Sequence, residues 1–107
     1  MPLKWDAKLE ALLDEYFANH KGAEKGKMFG VPGYMVNGKL AVGLFEDSVL
    51  LKLGKERVDA LLKESDFSAH TPNGRNWKDW VLVTANQKNH TNLFEEAVKY
   101  VTKETSK

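Results

Sequence analysis

Residues 27–39, KMFGVPGYMVNGK, place three glycines, a proline and an Asn-Gly pair among large apolar side chains. Asn37–Gly38 is a strong two-residue hairpin signal, because a type I′ turn needs positive φ at both central positions. The turn sets the register of what flanks it. Met28–Phe29 and Tyr34–Val36 read as short strand segments broken by Gly30, Pro32 and Gly33. Glycine inside such a pattern marks a bulge, a positive-φ bend or a close approach of backbone. Beyond the turn, Leu40, Val42 and Leu44 alternate with Lys39, Ala41, Gly43 and Phe45, as a half-buried strand requires. The "EDS" turn then leads into Val49–Leu53, completing an antiparallel meander of three or four strands.

Helical periodicity lies on both sides of this meander. Trp5, Leu9, Leu12, Leu13, Tyr16 and His20 recur at three- and four-residue spacing, which predicts an amphipathic helix of about four turns. Asp6 is its cap, and "HKGAEKGK" its positively charged end and the loop beyond it, with Gly22 as the stop. KERVDALLKES predicts a second, shorter helix facing inward through Val58, Leu61 and Leu62. A short strand at Phe67–His70, a loop marked by Pro72 and Asn73–Gly74, and a strand at Trp80–Thr84 follow. Asn89 or Thr91 caps a closing helix with Leu93, Phe94, Ala97, Val98 and Val101 inward, and residues 102–107 read as a fraying tail. The expectation is a single α+β domain, 1–107, in the order α-β(3-4)-α-β(1-2)-α. Four to six antiparallel strands would carry three helices on one side.

The totals narrow the chemistry. A chain of 107 residues closes one core rather than two. Sixteen Lys and Arg against fifteen Asp and Glu give a net charge of +1, without the basic excess of a protein held to duplex DNA by phosphate neutralisation. The absence of Cys removes disulfide scaffolds, thiol nucleophiles and Cys-ligated metals. No segment approaches the ~20 apolar residues of a membrane span, and the expected location is the cytoplasm.

The run Lys27–Met28–Phe29–Gly30, Gly33–Tyr34, Val36 and Gly38–Lys39 resembles the N-terminal domain family of the competence regulator TfoX, also called Sxy. Leu51–Lys52–Leu53, Trp80–Val81 and the final helix extend the likeness over about residues 8–101. It implies the α+β fold just read and a domain that occurs alone or at the front of a longer transcriptional regulator. The motif residues then have mainly structural roles, and no catalytic residue carries over. Val31–Pro32 departs from the family pattern where many members have a second glycine. RNWKDWVLV is similar, over a short stretch, to the YjbR family of small proteins linked to DNA binding.

Neither G-x-G-x-x-G nor a P-loop is present, so the glycines of 27–39 read as turn chemistry rather than a phosphate cradle. His20, His70 and His90 lack metal-ligand spacing, and no G-x-S-x-G occurs; neither a metal, a cofactor nor an enzymatic activity is expected. HTPNGRNWKDW is the segment richest in binding chemistry. Arg75, Trp77 and Lys78, with the amides of Asn73 and Asn76, combine an aromatic face with cations, as single-strand binding surfaces do. Strand alternation would send Trp77 and Trp80 to opposite faces, with Trp80 in the core. The reading is a protein-interaction module linked to transcription, with an unidentified protein as partner. Its surface would be a sheet edge or exposed face near Trp77 together with the Gly30–Gly33 bend, and an edge strand could pair two copies. Nucleic-acid binding through Arg75, Trp77, Lys78 and the lysines at 21, 25 and 27 is the alternative, and a small-molecule binder or enzyme the third.

Overall fold

The computed structural model describes residues 5–28, 31–71, 74–75 and 77–105. Helix α1 (Ala7–Phe17) leads to strands β1 (Glu24–Met28), β2 (Val31–Val36), β3 (Lys39–Phe45) and β4 (Ser48–Lys52). Helix α2 (Lys55–Leu61), strands β5 (Phe67–Ala69) and β6 (Trp80–Val83), a 3₁₀ turn (Gln87–His90) and helix α3 (Asn92–Thr105) complete the chain. The pairings between these strands are all antiparallel and the sheet runs β1-β2-β3-β4-β6-β5, so the protein is α+β with a six-stranded sheet.

Local chemistry explains the boundaries. Asp6 caps α1, its Oδ1 accepting the Lys8 N–H at 2.8 Å. The helix stops at Phe17, shorter than the apolar spacing predicts, and its last turn holds no basic residue. His20 lies beyond it and is held instead by α3: its Nε2 is 2.7 Å from Glu95, while its Nδ1 accepts the Gly22 N–H at 3.0 Å. Since Nδ1 accepts, the proton sits on Nε2 and donates to Glu95. Asn37 and Gly38, at φ 52° and 82°, form the hairpin expected. At the other end, α3 continues to Thr105 where the sequence suggests fraying. The Thr105 hydroxyl donates to the Val101 carbonyl and accepts from the Asn37 amide, both at 2.8 Å.

Two features of the sheet depart from expectation. β1 occupies Glu24–Met28, inside a charged segment that reads as solvated loop, because an edge strand needs no apolar alternation and lysines there discourage pairing with another sheet. Between the Tyr34–Val42 and Met35–Leu40 pairs, β3 carries Ala41 as an extra residue. That bulge turns Leu40 to the face opposite Val42 and Leu44, ending the simple alternation. Gly33 has neither a positive φ nor the bulge. A Cβ there would lie 2.8 Å from Leu40 Cδ1 and 2.9 Å from the Val42 carbonyl oxygen, so glycine answers a close approach. Phe29 and Gly30 lie outside the described residues.

Every helix packs on the same side. Leu9, Leu13 and Phe17 of α1, Val58 and Leu61 of α2, and Leu93, Phe94, Ala97, Val98 and Val101 of α3 join one core with Val42, Leu44, Val49, Leu51, Val81 and Val83. Leu62, expected inward, is exposed just past the end of α2. Phe17 stacks on Tyr34 at 4.3 Å between ring centroids. Beyond that contact, the Tyr34 hydroxyl donates to Asp14 at 2.8 Å, and Lys25 bridges Glu10 and Asp14 at 2.8 and 3.0 Å. Burial and the Asp14 carboxylate push the Tyr34 hydroxyl up to about 12. Glu10 is held below its usual range by Lys25 and the Trp5 indole N–H. Among the described residues, no helix is long and apolar enough to cross a membrane.

Candidate interaction surface

Among the described residues, the other face of the sheet carries no helix. Its central row runs Gly26, Gly33, Gly43, Leu50, Leu82 and Ser68 across all six strands. Leu50 and Leu82 are nonetheless buried, at 6% and 9% exposure, and neither belongs to the helix-side core. A small aromatic cluster accompanies them on this face, and the β5–β6 connection builds it.

That connection leaves β5 at His70 and returns at Trp77, whose N–H donates to the His70 carbonyl at 3.0 Å. The Trp80 N–H in turn donates to the Trp77 carbonyl at 3.0 Å. The Asp79 carbonyl accepts the N–H groups of Leu53 and Gly54 at 2.9 and 3.1 Å, tying the connection to the end of β4. A chain of rings results. Phe45 meets His70 at 4.9 Å and 73°, His70 meets Trp77 at 4.9 Å and 87°, and Trp77 lies 5.8 Å from Trp80. Edge-to-face contacts of this kind add about 0.5–1.5 kcal/mol each beyond the area they bury. His70 is 4% exposed, and burial pushes its pKa down, which favours the neutral ring. Phe45, at 38% exposure, presents its ring to solvent, and Trp77 and Trp80 are half-buried.

The two tryptophans therefore share one cluster instead of dividing between faces. Trp77 precedes the strand, so strand alternation does not govern it, whereas Trp80 alternates with the fully buried Val81 and is turned away from the core that it was expected to join. Lys52 sits 5.7 Å from the Trp80 ring centroid and pairs with Glu104 at 2.7 Å.

Of the other residues singled out in the sequence, Arg75 and Lys78 are exposed beside this cluster and enter no ion pair among the described residues. Lys21 and Lys27 are exposed as well. Lys25 is committed to Glu10 and Asp14, which raise its pKa, and so is no free phosphate ligand. Tyr34 points into the core and Gly38 closes the hairpin, with Lys39 exposed next to it, while Met28 ends β1. Asn73 and Asn76 lie outside the described residues. Phe45, His70, Leu50 and Leu82 escape the sequence reading, yet the unbroken apolar runs Val49–Leu51 and Trp80–Val83 already signal strands covered on both faces.

The remaining polar clusters hold elements together. His90 Nε2 is 3.0 Å from Asp66, whose other oxygen accepts from Asn86 at 3.1 Å, fastening the 3₁₀ turn to the start of β5. Arg57 joins α2 to α3 through Glu96 at 2.7 Å. Among the described residues no three His, Asp or Glu side chains are grouped to hold a metal ion. An open groove of about 760 Å³ lies between Trp5, Asp6, Val31 and the Leu44–Asp47 turn. It lies where the paired register of β2 and β3 ends at Gly33–Gly43, next to Pro32, which has no N–H to donate. Comparison of the chain with protein-family models, curated proteins and solved structures finds no match.

Proposed function

We propose that this protein is a non-enzymatic protein-interaction module of the TfoX N-terminal type, linked to transcription, and that it works through the helix-free face of its sheet. One observation carries the reading: an aromatic cluster with an exposed Phe45 lies on a sheet face that none of the helices covers. Apolar patches rimmed by polar residues mark interaction sites on monomers, and aromatic side chains are enriched at the centres of such sites. The hairpin, the bulge and the Asp79 clasp hold this surface on rigid strands, so a partner meets it with little ordering cost. The test is capture from the source cell's extract on immobilised wild type and on Phe45→Glu. The expected outcome is a partner retained by the wild type and lost by the variant; equal retention contradicts the reading.

A second reading is direct binding of single-stranded nucleic acid, favoured by Arg75 and Lys78 standing exposed beside a half-buried Trp77. It ranks below the first because Lys25, one of the lysines it invokes, is committed to Glu10 and Asp14, and a net charge of +1 supplies no basic excess. Titration of tryptophan emission with short oligonucleotides at two salt concentrations separates the readings. A saturable change that needs Trp77 and weakens with salt favours nucleic acid, and a flat response favours protein.

A further inference from the structure

The helix-free face has two unequal halves. Over β1–β3 its central row is low, because Gly26, Gly33 and Gly43 present no side chain and Leu40 and Met35 fold against them, with Phe45 standing exposed at the end of β3. A Cβ on Gly33 would lie 2.8 Å from Leu40 Cδ1, and one on Gly26 3.2 Å from Met35 Sδ. Over β4, β6 and β5 the rings of His70, Trp77 and Trp80 raise it into a ridge. The sheet order gives each half three strands, and hence a similar width of about 14 Å.

We propose that the occupant of this face is a second copy of the chain, packed sheet to sheet about a two-fold axis running between the two halves; this rests on reading the face as an interaction surface. Such an axis seats each ridge in the other copy's low half, satisfying the self-complementarity that an isologous interface demands. Charge agrees with the fit. The low half's outer strand carries Glu24 on this face, opposite Met35, while the connection that forms the ridge carries Arg75 and Lys78. The two-fold therefore turns Glu24 of one copy toward Arg75 and Lys78 of the other.

Area decides the kind of dimer. Six strands of about five residues make a face of roughly 29 by 17 Å. Two copies would bury on the order of 1,000 Å², the lower bound for a specific interface, which means a dimer that dissociates on dilution. Pairing through sheet edges is the weaker route. β1 presents lysines along its length, and β5 is only three residues long.

Sedimentation of the full chain from micromolar to millimolar concentration tests the proposal. Wild type is expected to rise from one chain mass to two, while Phe45→Glu and Met35→Glu remain at one, with circular dichroism confirming that each is folded. Glu24→Lys should weaken association roughly tenfold, and adding Arg75→Glu should recover most of the loss. A wild type that stays at one chain mass throughout, or a dimer indifferent to both face variants, overturns the proposal. The capture experiment keeps the two readings apart. A monomeric wild type whose extract partner is lost by Phe45→Glu overturns the second copy alone, whereas a monomer whose partner is retained equally overturns both.

Discussion

Two adjacent rows of the same sheet, pointing opposite ways, have very different neighbours. On the helix side Tyr34, Val42, Leu51, Val81 and Ala69 run across β2, β3, β4, β6 and β5, and Val42, Leu51 and Val81 are fully buried beneath the helices. One residue along, the row of Gly26, Gly33, Gly43, Leu50, Leu82 and Ser68 has glycine at one end and leucines beside a thin aromatic cluster at the other. The first row is built for stability. Three helices bury it, and its packing density leaves little room for change. The second is assembled from one connection and a few rings, which hold it in shape while leaving it available for contact.

The largest difference is expected between neighbouring leucines. Leu51→Ala removes a side chain from the closed core and should cost about 3–4 kcal/mol, whereas Leu50→Ala, under a cluster that can settle onto the gap, should cost about 2 kcal/mol. Urea denaturation of the two variants measures the difference, and equal losses would break the distinction between the faces. The glycines come next. A Cβ on Gly33 meets a backbone oxygen at 2.9 Å, whereas one on Gly43 comes no closer than 3.3 Å, to a flexible leucine tip. Gly33→Ala should therefore destabilise by about 1–3 kcal/mol and Gly43→Ala by less than about 1 kcal/mol.

The two faces also fail at opposite ends of the pH scale. Tyr34 has its pKa raised from 10.0 to about 12, so above pH 10 the unfolded chain releases a proton that the folded chain retains. Its contribution, complete below pH 10, is lost as pH rises from 10 to about 12. His70 has its pKa lowered from 6.5 by burial, so below pH 6.5 the unfolded chain takes up a proton that the folded chain resists. Stability is then lost on acidification, starting at the helix-free face. Unfolding midpoints across pH should flatten at the alkaline end in Tyr34→Phe and at the acid end in His70→Phe. The smallest effect concerns the exposed cations. Arg75→Ala and Lys78→Ala should alter stability by no more than about 0.5 kcal/mol, so any loss of partner retention that they cause reports on the surface itself.

The parts of the fold written in local chemistry could be read directly. Asn37–Gly38 specifies its turn because few other pairs accept positive φ twice, and the five inward residues predicted for α3 are all buried. What escaped depends on partners distant in sequence. β1 is charged because it is an edge, Leu40 changes face because of one extra residue in β3, and α1 ends early while His20 is caught by Glu95, 75 positions away. The surface divides likewise. Arg75, Trp77 and Lys78 stood out as a local mixture of rings and cations. Phe45 and His70 did not, since only the strand order of the sheet brings them to the same cluster.

Covalent surface labelling of the protein, free and bound to the partner recovered from extract or to its second copy, shows which face of the sheet makes the contact. Protection is predicted at Met35, Leu40, Phe45, Trp77 and Trp80, with Leu12, Tyr16 and Tyr100 on the helix side labelled equally in both states. Protection confined to the helix side would contradict the account.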